Sequence, residues 1–186
     1  NANTCNANGI EVAERMSVLA ATALGVTPDN IIVASTGVIG QPLCIDPIAN
    51  SLPELVKGLS VEGGRDAAVG IMTTDTVMKE IAVEFEVDGK TCHIGGIAKG
   101  SGMIHPNMAT MLVFITTDCA ISSEMLQKAL SGDITNTFNM VSVDGDTSTN
   151  DMVTVLANGM AGNEPITAEG EAFSTFMKAL NTVTVD

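Results

Sequence analysis

The stretch from 95 to 117, GGIAKGSGMIHPNMATMLVFITT, constrains this chain more than any other. Glycines at 95, 96, 100 and 102 make its first half read as a loop, too rich in glycine for a helix or a strand. Its second half, Met111 to Ile115, is an apolar run with the length of a buried strand. Pro106, Asn107 and the pair Ala109-Thr110 lie between the two. A Thr behind a small residue therefore stands where a strained loop feeds a rigid strand. Such a place suits a nucleophile that has to be held accurately and approached closely. A plain Gly-rich turn before a core strand would show the same spacing, so the two readings must be separated by the rest of the chain.

The 186 residues suffice for one ordinary domain or for a piece of something longer. With 45% hydrophobic and 16% charged residues, the chain can build a sizeable core and is not generally disordered. Trp and Tyr are absent, which leaves Val, Ile, Leu, Ala, Met and five Phe to fill that core. The net charge of −14 argues against nucleic acid and against an anionic membrane surface as partners. Most of these carboxylates read as solubilising, and the excess makes any Lys inside a site informative.

Cysteines at 5, 44, 92 and 119 form no C-x-x-C pair, and the two histidines are 93 and 105. A Cys/His zinc site has no support, and free or buried thiols in a reducing compartment are expected. Without a basic, apolar-cored leader or an apolar run near about twenty residues, the cytoplasm is the expected location. The chain opens on Asn1-Ala2-Asn3 and stops inside an apolar-patterned segment, so both ends read as cut.

Along the chain, residues 1–9 form a polar loop, and apolar residues from Ile10 to Leu24 recur at helical spacing, with Gly25 as C-cap. A turn at Thr27 to Asn30 precedes Ile31 to Ala34, a short buried strand, and then the loop Ser35-Thr36-Gly37. Asp46 as N-cap and Pro47 as first helical residue open a helix to about Gly58, and a second spans Gly64 to Ile71. Ile81, Val83, Phe85 and Val87 alternate with polar residues, Asp88-Gly89 is a turn signal, and Thr91 to Ile94 return as the second strand of a hairpin.

After the strand at 111–117, Ser122-Ser123-Glu124 starts a helix to about Leu130, and Thr135 to Asn139 is helical. Val141 to Val143 reads as a strand, 144–151 as an acidic loop, and 152–157 as either helix or strand. An amphipathic helix spans Thr167 to Thr182. The mixture, without repeat or linker, predicts one α/β domain over 1–186, with mixed sheets packed by helices.

Three loops carry a Thr beside flexible or polar neighbours: Ser35-Thr36-Gly37, Thr73-Thr74-Asp75-Thr76, and Lys99 to Thr110. Ser/His/Asp machinery is missing: His93 falls in an alternating strand, His105 is a single His before Pro106, and no G-x-S-x-G occurs. A Thr acts without a His when its own α-amine is the base, which requires the preceding peptide bond to be broken. Ala109-Thr110 is suited to this. The Thr110 hydroxyl can attack the Ala109 carbonyl, shift the chain from nitrogen to oxygen, and leave an ester for water to hydrolyse.

KGSGMIHPNMATML, with STGVIG upstream and VDGDTSTND downstream, resembles the ornithine acetyltransferase (glutamate N-acetyltransferase) family of arginine biosynthesis. The likeness covers essentially the whole chain in the same order. It implies a fold of the self-cleaving N-terminal-nucleophile type and cleavage at Ala109-Thr110 into α and β chains that stay together as two α and two β. It implies Thr110 as the nucleophile that takes the acetyl group from N-acetylornithine and passes it to glutamate. Thr36 and Gly37 would form the oxyanion hole, Lys99 would hold a substrate carboxylate, and Thr76 would also contact substrate. The family uses no metal or organic cofactor, and some members take acetyl-CoA as a first acetyl donor. Family members are roughly twice this length, and a substrate-contacting Glu, an Asn and a Ser fall beyond Asp186.

Asp144, Asp146, Ser148 and Asn150 alternate like a calcium loop, but Thr149 stands at its Gly and Val155 at its Glu, so a hydrogen-bonded acidic turn is expected. Two other functions fit the same residues. One is a self-cleaving amidohydrolase or aminopeptidase that passes its acyl group to water. The other is an inactive, truncated binding or structural piece of a longer protein.

Overall fold

The computed structural model describes residues 6–104 and 111–186. They fall into two compact units, divided between Gly64 and Arg65. In the first, helix α1 (Gly9–Leu24) ends on Gly25, whose φ of 71° is the left-handed conformation that glycine adopts at little cost. A single 3₁₀ turn at Pro28–Asn30 follows, and helix α2 (Asp46–Lys57) packs against α1. Among the described residues no helix is long and apolar enough to cross a membrane.

The second unit opens with the short helix α3 (Gly64–Gly70) and is built on one mixed sheet. Strands β1 (Lys79–Val87) and β2 (Lys90–Lys99) form the expected hairpin, antiparallel in the register Val87↔Lys90 to Lys79↔Ala98. Asp88 and Gly89 both have positive φ, 51° and 71°, as a two-residue turn matching the strand twist requires. Strand β3 (Leu112–Thr117) runs antiparallel to β2, with Lys99 opposite Leu112. Helix α4 (Ser123–Asp133), capped by the Ser122 hydroxyl on the Met125 N–H, carries the chain back. Strand β4 (Met152–Ala157) then pairs parallel to β3, which settles the ambiguity of 152–157 in favour of strand. Helix α5 (Glu171–Val185) closes the chain and packs on β1, β2 and α4.

Between sheet and α5 lies the core. Ile94, Ile115, Phe176 and Leu180 are fully buried, each contributing roughly 1.5–3 kcal/mol of transfer free energy. Phe85 meets Phe176 edge to face, with ring centroids 6.0 Å apart. The buried Asp133 at the end of α4 accepts from Asn181 Nδ2 at 2.7 Å and Thr184 Oγ1 at 2.6 Å, which ties α4 to α5 without leaving its charge unsatisfied.

Five expectations are corrected. Gly95 and Gly96 lie inside β2 rather than in a loop. A Cβ at Gly95 would stand 3.0 Å from the Ala82 Cβ and the Ile81 carbonyl, and one at Gly96 3.1 Å from Ile115 Cγ1. These glycines serve close strand packing, not a bend. Residues 31–34 form no strand, and Ile32 is half exposed, because the described part of the first unit offers no strand to pair with. Val141 to Val143 likewise stays outside the sheet, with the Val143 N–H on the Ile104 carbonyl at 2.7 Å. The amphipathic helix starts at Glu171, four residues later than its periodicity suggested, and Thr135 to Asn139 forms 3₁₀ turns.

Candidate functional site

Lys99 ends β2 in the second unit and is 5% exposed. Its register with Leu112 places it across the sheet from the residue two positions after Thr110. Lys99 Nζ donates to Thr73 Oγ1 at 3.2 Å, and among the described residues no carboxylate lies within ion-pair distance of it. Lys99 also lines a cavity of about 410 Å³ whose walls include Gly100, Ile104, Met111, Val113 and Phe138. The walls are mainly apolar, and the charged residues among them are Lys79, Glu80, Lys99 and Asp186. Such a chamber has room for a small molecule with an aliphatic stem.

The TTDT loop is fastened to the Lys99 end of β2 by Asp75, whose side chain is wholly buried. Asp75 Oδ1 accepts the Gly100 N–H at 2.7 Å and Lys79 Nζ at 2.7 Å, and Oδ2 accepts the Thr73 N–H at 3.3 Å. Thr74 and Ser101 hydroxyls close the same junction at 2.5 Å. Burial alone would raise the Asp75 pKa, but the Lys79 ammonium and the two amides outweigh it and bring it to about 2. A folded-state pKa below the ordinary 3.8 contributes stability above about pH 4 that is lost as pH falls towards 2, roughly 2 kcal/mol. Asp75→Asn should therefore lower the urea midpoint at pH 6, and its deficit should shrink by pH 2.5. A constant gap over that range would show that Asp75 carries no such linkage.

The acidic loop 144–151 meets the Gly-rich segment at both of its described ends. Asp144 accepts the Met103 N–H at 2.5 Å and the Ile104 N–H at 2.8 Å, one on each oxygen. These amides hold its carboxyl below the usual carboxylate range. Asp151 Oδ1 accepts the Met111 N–H at 2.9 Å. Burial pushes the Asp151 carboxyl up, against the opposing pull of that N–H and of the Ser148 hydroxyl.

Of the expected site residues, Lys99 and the TTDT loop are brought together. Thr76 is exposed beside the buried Asp75. Thr36, half-buried, and Gly37, exposed, lie in the first unit, in the irregular chain between Asn30 and α2. Ala109 and Thr110, with His105 and Pro106, lie outside the described residues. His93 sits six residues back along β2 from Lys99, roughly 20 Å away. It is exposed and pairs with Asp118 at 2.7 Å, which raises its pKa. Sequence reasoning expected a hydrogen-bonded acidic turn that includes Asp144, but it missed the partners of Asp75, Asp144 and Asp151, which lie far away in the chain.

Fold and site together define an α/β protein with a buried cation in an apolar chamber, next to a strand that begins just after an Ala-Thr pair. The chain belongs to the ArgJ family, whose model matches residues 1–186. It is 52% identical to the arginine biosynthesis bifunctional protein ArgJ of Symbiobacterium thermophilum, over all of this chain and 46% of that protein. It is 49% identical to the arginine biosynthesis bifunctional protein ArgJ 1 of Clostridium acetobutylicum, with the same two coverages. A crystal structure of the arginine biosynthesis bifunctional protein ArgJ from Bacillus halodurans matches 57% of this chain and 55% of that one, at 36% identity and a TM-score of 0.49. The chain thus spans about half the length of the relatives it matches.

Proposed function

We propose that this chain carries the nucleophile part of an acetyltransferase that moves an acetyl group from N-acetylornithine to glutamate. The observation that carries the reading is Lys99: a buried cation without a carboxylate partner among the described residues, lining a chamber that reaches Met111, the neighbour of Thr110. A buried charge calls for a counter-charge, and an amino-acid carboxylate is one. Membership of a family whose named relatives act in arginine biosynthesis supports the same substrate class.

In this reading the Thr110 hydroxyl attacks the Ala109 carbonyl, the peptide becomes an ester on Oγ, and water hydrolyses it. Ala109 is left with a carboxylate and Thr110 with a free amine. That amine takes the hydroxyl proton as Oγ attacks the acetyl carbonyl of N-acetylornithine. Thr36 Oγ1 and the Gly37 N–H stabilise the oxyanion, and ornithine leaves with the proton on its amine. The amine of glutamate then attacks the acetyl ester and restores the Thr hydroxyl. Lys99 holds the substrate carboxylate, and Thr76 contacts substrate at the same end. No metal or organic cofactor takes part, and acetyl-CoA serves as an alternative donor in a bifunctional enzyme. The two pieces stay associated as two α and two β chains, in the cytoplasm.

Exposure to N-acetylornithine alone should add one acetyl group to the piece that begins at Thr110, seen by intact mass. Adding glutamate should discharge it as N-acetylglutamate. Release of free acetate at a rate indifferent to glutamate would replace this reading with a hydrolase.

A further inference from the structure

Three hydrogen bonds close a ring around Lys99. Its Nζ donates to Thr73 Oγ1 at 3.2 Å. The Thr73 N–H donates to Asp75 Oδ2 at 3.3 Å, and the N–H of Gly100, the residue joined to Lys99, donates to Asp75 Oδ1 at 2.7 Å. One carboxylate thus fixes both ends of the Lys99–Thr73 contact: the backbone from which the lysine stem springs and the backbone that carries its acceptor. The carboxylate is itself held, because its side chain is wholly buried and Lys79 Nζ lies 2.7 Å from Oδ1. With its pKa brought to about 2 it is ionised across the neutral range, and both oxygens stay acceptors.

We infer that Asp75 is a positioning residue for the proposed transfer: through Gly100 and Thr73 it holds the Lys99 ammonium where a substrate carboxylate meets it, while Lys79 leaves that ammonium unneutralised. The inference rests on the reading of Lys99 as the carboxylate-binding cation. A lysine stem left to itself samples many rotamers, and an ordered one binds with less entropy to lose. A buried aspartate tied to both Gly100 and Thr73 would also draw the Lys99 ammonium to itself if it lacked a counter-charge of its own. Lys79 supplies that counter-charge. A clasp that only fastened loop to strand would not need this carboxylate, since the Thr74 and Ser101 hydroxyls, 2.5 Å apart, already join the same two segments. What Asp75 adds is convergence on one ammonium.

Asparagine has the shape of aspartate but only one acceptor oxygen. With that oxygen on Gly100 and Lys79, its amide nitrogen would face the Thr73 N–H, donor against donor. In the full chain at neutral pH, Asp75→Asn should raise KM for N-acetylornithine and for glutamate about 10-fold, the worth of one charge-assisted hydrogen bond. Its kcat should change by less than about threefold, whereas a mere loss of folded protein would lower the saturated rate and leave KM in place. Thr73 is exposed, so a second variant tests the ring without disturbing the buried carboxylate. Thr73→Val removes the Oγ1 acceptor, keeps the N–H on Asp75, and should raise both KM values by a similar factor. Thr73→Ser returns the hydroxyl and should bring them to within about threefold of native. Combining Asp75→Asn with Thr73→Val should do no more than either alone, because both open the same ring. Independent effects would multiply to about 100-fold.

KM values within about twofold of native in either single variant, or a double variant whose effects multiply, would overturn the positioning role and leave the proposed transfer standing. A native chain that shows no saturable transfer, or a Lys99→Met chain with native KM, would overturn the reading of Lys99 and the positioning role with it.

Discussion

Thr110→Ala should leave the chain whole and transfer no acetyl group. Alanine keeps the backbone and the small volume at this position but removes the oxygen that both proposed reactions need. Without it the Ala109 carbonyl has no attacker, so neither the ester nor the free amine forms. The acetyl group also has nowhere to rest between donor and acceptor. Removing a nucleophile of this kind costs on the order of 10⁴- to 10⁶-fold, which puts transfer below detection in an ordinary assay. The sheet should be unaffected, because its paired residues in this strand begin at Leu112 and the apolar side chains beyond it are unchanged. A denaturing gel should show one band where the native chain gives two, with the same far-ultraviolet dichroism. Thr110→Ser retains a hydroxyl and should cleave and transfer, more slowly. If Thr110→Ala still divides at the same bond, or an acetyl adduct still forms on it, Thr110 is not the nucleophile.

Much of the fold was legible because its signals are local. The β1–β2 hairpin follows from alternation around Asp88-Gly89, and both turn residues do take the positive φ that this pair tolerates. Helices α1 and α4 announce themselves by Gly25 at one end and Ser122 at the other. What failed were judgements that depend on neighbours. Gly95-Gly96 looks like a loop because glycine weakens strands, but the structure uses it to bring β2 close to Ala82 and Ile115. Ile31 to Ala34 and Val141 to Val143 have strand composition but no partner strand, and β-propensity expresses packing against neighbours more than a preference of the backbone.

The candidate site divides in the same way. Lys99 stands out in the sequence because cations are scarce in so acidic a chain. The fastening of the TTDT loop through Asp75 and Gly100, and of Met103, Ile104 and Met111 through Asp144 and Asp151, spans 25 to 41 positions. No periodicity or motif spacing encodes contacts of that range.

Lys99→Met should separate stability from function. Methionine matches the aliphatic stem of lysine and suits the apolar walls of the chamber, but it carries no charge. Among the described residues, the buried Lys99 Nζ donates to the Thr73 hydroxyl, Oγ1, at 3.2 Å. Exchanging a buried ionic group for a well-packed apolar one is often neutral or favourable by about 1–4 kcal/mol, so the thermal midpoint should hold or rise. Cleavage at Ala109-Thr110 should proceed, since the role proposed for Lys99 is on the substrate and not on the peptide bond.

Substrate binding should suffer instead. A carboxylate that loses its cation in a desolvated site forfeits roughly 2–5 kcal/mol, equivalent to about 30- to 5000-fold in affinity. The loss should fall on KM for both N-acetylornithine and glutamate, because both present a carboxylate to the same place. Lys99→Arg keeps the charge but needs room for a planar fork, so it should recover only part of the affinity. A Lys99→Met protein with unchanged KM and a lower thermal midpoint would make this lysine a structural residue, and the chamber would then need another counter-charge for its ligand.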